Sequence, residues 1–180
     1  TFRSASISLA KQYPFARHLV NTGRMAVANR YRRSPVCAVE SNGGRSVQNV
    51  GFRWGDGSSG QLNDLLAWCD SRLLLLWFGA LPNRAQAARL AALTSSAPVR
   101  CVQVLPFRGA RGLHARESVL DAEGHLHAAC HLTKADGTAW ALLRPDSYLA
   151  ASGRAIDPSL IAAVATALGL HRAMPAGASR

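Results

Sequence analysis

The densest run of chemically capable side chains is His125, His127, Cys130 and His131, in an H-x-H-x-x-C-H arrangement. Zinc takes these donor types. A four-ligand site normally closes with a second pair such as CxxC or HxxxH, and none accompanies the run. Only His127 and His131 fall four apart, on one face of a helix. The expectation is therefore a surface turn with incidental histidines and no metal. The remaining cysteines, Cys37, Cys69 and Cys101, are widely scattered, and no CxxC occurs. Four such cysteines make neither a disulfide framework nor a redox pair. They read as small core residues in a reducing cytoplasm. Nucleophile and phosphate motifs are missing as well. There is no GxSxG, GxGxxG or GxxxxGK[ST], and Ser58 and Ser59 sit in a polar turn. No catalytic, cofactor-binding or metal residue is assigned.

Charge is the strongest global signal. The 180 residues carry a formal net charge of +11. Residues 1–60 hold nine Lys/Arg against two Asp/Glu, so much of the excess lies in the first third. Nucleic-acid binding is one reading of that bias. The basic residues are not interleaved with surface aromatics and no helix gathers them on one stripe, so nucleic acid is not the expected partner. The longest apolar run, 73–81, is nine residues counting Gly79. That is too short to cross a bilayer and suits a buried strand. No cationic stretch followed by an apolar core opens the chain, so no membrane or secretory role is expected. The opening Thr1 suggests a processed protein or an excised fragment.

The elements that would position any site follow from pattern. Residues 5–30 read as a helical arm broken at Pro14, with Phe15, Leu19 and Met25 along one edge. Residues 31–50 read as a polar linker, and the domain boundary is placed near 46. Three parts result: an arm and linker over 1–46, a domain over 47–170 and a loose tail over 171–180. Within the domain, 47–54 reads as an edge strand, and Ser58 with Gln61 as a capping box. Leu62, Leu65, Leu66 and Cys69 follow helical spacing. Leu73–Phe78 is a strand buried on both faces. Pro82 and Asn83 open a helix with Ala87, Leu90 and Ala91 inward, and Val99–Leu105 completes a right-handed βαβ unit. Residues 108–136 yield a helix from near Glu117 and a Gly124 turn. Strands over 140–143 and 148–151 form a hairpin. The last helix has Asp157 as N-cap, Pro158 at its first position, a face of Leu160, Ile161, Val164 and Leu168, and a stop at Gly169.

The order βαβαβ, a variable segment, then ββα is that of a thioredoxin-like α/β fold, a central mixed sheet flanked by helices. Redox chemistry on that fold needs thiols just after the second strand, where a helix N-terminus lowers a thiol pKa. That stretch here is Phe78-Gly79-Ala80-Leu81-Pro82-Asn83-Arg84 and contains no sulfur. Disulfide exchange at that position is excluded.

Three segments carry a family resemblance. Residues 142–150, LLRPDSYLA, resemble the L-V-R-P-D-G-Y/H-V-A segment of FAD-dependent aromatic-ring hydroxylases of the phenol and hydroxyphenylpropionate type. Tyr13-Pro14-Phe15-Ala16-Arg17-His18 resembles their R-x-P-x-A-R helix, and residues 51–68 resemble the entry to their terminal domain. Ser147 stands where the family has Gly. The resemblance implies an accessory or oligomerisation domain, thioredoxin-like and without redox cysteines, at the end of a flavoprotein monooxygenase. FAD and NAD(P)H would belong to the parent enzyme and not to this chain. The implied partners are the flavin-binding domain or a second copy, in a homodimer. The alternative is a basic module binding nucleic acid or an acidic protein.

Overall fold

The computed structural model describes residues 30–31, 34–37, 43–79, 83–106, 117–132, 138–154 and 158–169. The expected arm over 5–30, apart from residue 30, and the tail over 171–180 lie outside the described residues, as does the proposed N-cap Asp157.

Among the described residues seven strands form one mixed sheet. They are β1 (Gly51–Trp54), β2 (Ser59–Gln61), β3 (Leu73–Phe78), β4 (Val99–Leu105), β5 (Ser118–Leu120), β6 (Ala139–Leu143) and β7 (Leu149–Gly153), in the order β2-β1-β5-β4-β3-β6-β7. The neighbours β3/β4 and β4/β5 run parallel; the other pairs are antiparallel. Among the described residues four helices flank the sheet: α1 (Leu62–Trp68), α2 (Arg84–Ser96), α3 (His125–Ala129) and α4 (Pro158–Ala167). The architecture is thioredoxin-like.

β3 organises the core because all six of its residues are buried. Alternation sends Leu74, Leu76 and Phe78 to one face, where Leu62, Leu65 and Leu66 of α1 and Leu126 of α3 meet them. Leu73, Leu75 and Trp77 go to the other, against Leu90 and Leu93 of α2 and Leu160 and Val164 of α4. A strand covered on both sides has no polar alternation, which is why it is so legible in sequence.

Several expectations need correction. The segment expected to hold a helix from Glu117 instead forms β5, paired to β4 on one side and β1 on the other. Three residues carry too little pattern to identify a strand, and pairing on both edges supplies the stability. β1 begins at Gly51 and is internal; the edge belongs to β2. Ser58 does not cap α1. Its backbone amide and hydroxyl both donate to Asp56 Oδ1, at 2.9 and 2.7 Å, closing an Asx turn. The N-cap is Gln61, whose amide donates to Asp64 Oδ2 at 2.7 Å. On α2, Ala87 and Ala91 are exposed, and Leu90 and Leu93 face the sheet. On α4, Ile161 is 55% exposed because Leu160, Ala163 and Val164 already fill the buried stripe. The hairpin strands run over Ala139–Leu143 and Leu149–Gly153, while Tyr148 bridges to Ser46.

Candidate functional site

β3 ends where Gly79 donates its amide to the Val104 carbonyl at 3.2 Å, and Gln103 Nε2 donates to the Gly79 carbonyl at 3.1 Å. α2 then starts from Asn83. The Asn83 side chain accepts from the Gln86 amide at 2.9 Å, and the Gln86 side chain accepts from the Asn83 amide at 3.0 Å. This reciprocal cap satisfies two backbone donors within the chain. Between the strand and the cap the sequence is Gly79-Ala80-Leu81-Pro82, without sulfur.

The thiols lie elsewhere. Cys69 is fully buried on the α1 face, and burial pushes its thiol up to about 11 against the opposing pull of Arg100 and Arg72. Burial, with Glu117 nearby, pushes Cys101 up to about 12. Cys130 is fully buried and is raised by burial and then by Asp121. Cys37 is buried with Arg144 Nη1 3.9 Å from its sulfur. All four are free thiols. A nucleophilic thiol needs its thiolate form, which burial in apolar surroundings suppresses.

The run His125, His127, Cys130 and His131 is dispersed by the fold. His127 Nδ1 lies 2.9 Å from Asp121 Oδ2, and its ring packs 4.3 Å from that of Phe78. His125 Nε2 points outward to Glu123 Oε2 at 3.2 Å. Cys130 faces the core. His131 is exposed and has a positive φ of 57°. Among the described residues no three His, Cys, Asp or Glu side chains converge as a metal site.

Sequence reasoning missed Asp121. It is 3% exposed and accepts the amides of Leu126 and His127, each at 3.1 Å, besides the His127 ring. Burial pushes this carboxyl up. The hydrogen bonds from the His127 ring and the two amides, with the His127 charge, outweigh burial and hold it below the ordinary value. An Asp three residues before a glycine turn and a short helix was the available signal. The residue fastens α3 to the end of β5.

Beside it lies an open groove of about 840 Å³ over the β2-β1-β5 end of the sheet. Arg53, Ser59, Gln61 and Leu120 line its floor, and Asp64 and Glu123 are among its acidic residues.

No family model matches the chain, and no curated protein matches it. Solved structures do. A putative thiol:disulfide interchange protein DsbE from Chlorobium tepidum matches with a TM-score of 0.50 at 13% identity, over 69% of this chain and 96% of that one. A conserved protein of unknown function from Bacteroides fragilis matches with a TM-score of 0.50 at 12% identity, over 68% and 98%. Peroxidoxin BcpB from Mycobacterium tuberculosis has a TM-score of 0.48 at 12% identity, over 72% and 98%. At these identities the likeness is one of fold.

These findings overturn the flavoprotein reading. The similar structures are thioredoxin-fold proteins matched over nearly their whole length, not terminal domains of an FAD hydroxylase. The monooxygenase, hydroxylase, flavoprotein and FAD assignments fall with it, and the NAD(P)H requirement likewise. The alternative of a basic module for nucleic acid or an acidic protein gains no support either. The physical reason lies in what the motifs do. In Arg144–Ser147, Arg144 Nη2 binds Asp146 Oδ2 at 2.8 Å and Ser147 takes a φ of 63°, which reverses the chain between β6 and β7. Residues 51–68 are likewise a hairpin followed by a capped helix. Both are local solutions open to unrelated chains. Tyr13–His18, the third segment, lies outside the described residues.

Proposed function

We propose that this chain is a thioredoxin-fold polypeptide-binding module that performs no disulfide exchange with its own thiols. The observation that carries the reading is the sulfur-free passage from β3 to α2, where Asn83 and Gln86 cap the helix with each other. Thiol–disulfide interchange, named for one of the similar structures, requires an accessible, stabilised thiolate. Here Cys69 and Cys101 are pushed up to about 11 and 12. A polypeptide site is supported by the β2-β1-β5 groove. β2 is a three-residue edge strand, available for strand addition, with Asp64 and Glu123 beside it. The occupant is an extended segment with basic side chains, matched by charge to those carboxylates. Free thiols at all four cysteines suit a reducing, cytoplasmic setting. Among the described residues no helix is long and apolar enough to cross a membrane.

One experiment tests both halves. A basic peptide closed by its own disulfide is titrated into the chain in the presence of dithiothreitol. Saturable binding, weakened by Glu123→Gln, with reduction at the uncatalysed rate is the expected outcome. Reduction above that rate would sink the claim that the thiols are silent. Binding indifferent to Glu123→Gln would remove the groove from the function.

A further inference from the structure

We infer that His125 gates the groove by competing for Glu123. The protonated imidazole pairs with the carboxylate that a basic side chain of the occupant would take, so the groove holds such a side chain less tightly below neutral pH. This rests on the polypeptide reading of the groove and adds its regulation by protons.

The carboxylates of the groove are not equally available. Asp64, Asp121 and Glu123 all line it. Asp121 is 3% exposed, and its oxygens accept the Leu126 and His127 amides and the His127 ring. Asp64 Oδ2 accepts the Gln61 amide at 2.7 Å and so holds the start of α1. Turning either toward an occupant would break a bond that the fold uses. Glu123 is different. Its side chain is 77% exposed, and His125 Nε2 lies 3.2 Å from its Oε2, with the His125 side chain 57% exposed. Gly124, at a φ of 79°, turns the chain between the two and lets them meet at the mouth of the groove, which both line. The carboxylate free to read a basic side chain is therefore the one that an imidazole already contacts.

The charged groups that share the groove with His125 are Arg53 on β1, Asp64 on α1, and Asp121 and Glu123 on the turn before α3. His127, on α3 itself, is engaged by Asp121. Between about pH 5.5 and 7.5 carboxylates, arginines and lysines keep their charge, whereas an imidazole changes its own. At the lower end the imidazolium neutralises Glu123 and repels an incoming ammonium or guanidinium. At the upper end the ring is neutral and Glu123 is released to the occupant, so affinity rises with pH. An exposed ion pair is weak, which sets the gate at about threefold.

The test titrates a peptide of alternating lysine and threonine into the full chain at fixed ionic strength, at about pH 5.5 and about pH 7.5. The wild type should bind about threefold more tightly at the higher pH. His125→Gln, which cannot take the proton, should bind tightly at both. His125→Lys, charged throughout this range, should bind weakly at both. Glu123→Gln should also bind weakly at both, having lost the contested carboxylate. A wild-type affinity that ignores pH, or a pH dependence that survives in His125→Gln, would overturn the gate while leaving the groove in place. No binding at either pH would overturn the groove reading and the gate with it.

Discussion

Asp121 shows how one buried carboxylate can define a local structure. It satisfies two amides and one imidazole, and removing it leaves all three without that acceptor. Asp121→Ala should therefore destabilise the chain by about 2–3 kcal/mol, the scale for orphaning buried donors. The sign of the pH effect follows from its depressed folded-state value. The stabilisation is fully present above the unfolded Asp pKa of about 4 and disappears as pH falls through the folded value. Urea unfolding from pH 6 downward should show the wild-type and Asp121→Ala curves converging. Parallel curves would mean that the carboxylate's charge contributes nothing. The same residue engages His127 through both its backbone amide and its ring.

At the scale of elements, β6 and β7 show why a strand tolerates some residues and excludes others. Trp140 pairs with Gly153 across the ladder, and a Cβ on Gly153 would approach the indole to 2.6 Å. The ring is 1% exposed and held between β3 and α4, so it has little room to yield. Gly153→Val should lower stability by about 1–3 kcal/mol, the usual effect of overpacking, and shift the tryptophan fluorescence. A substitution tolerated without either change would show that Trp140 is less confined than its burial suggests. β3 has the opposite character: it is filled on both faces and needs large apolar residues throughout.

For the whole molecule, the apolar residues of the N-terminal third point to self-association. Residues 5–30 carry Phe15, Leu19 and Met25 at helical spacing, and such an edge is costly to leave in water, at roughly 1.5–3 kcal/mol per large side chain. We propose a homodimer in which these side chains lie in the contact, two-fold pairing being the commonest closure. Light scattering should give a dimer for the full chain and a monomer for a Phe15→Ser, Leu19→Ser variant. A monomeric full chain, or a variant that remains dimeric, would remove the arm from the contact.

Taken alone, the sequence determined those features whose physics is local or one-dimensional. Leu62, Leu65, Leu66 and Cys69 announced a helix, and the apolar run of β3 announced a doubly covered strand. The absence of sulfur between Phe78 and Arg84 needed no coordinates. These readings sufficed for the thioredoxin-like fold. Tertiary structure decided the rest because the deciding partners are distant in the chain. Three-residue β5 exists through β4 and β1, and its own pattern reads equally well as helix. Neighbouring histidines part company because His127 meets Asp121 and Phe78, while His125 turns outward to Glu123. The RPDS turn looked like a family signature until its geometry proved to be a local reversal held by Arg144 and Asp146. Spacing along a chain reports periodicity and composition, whereas the destination of a side chain depends on what the fold brings beside it.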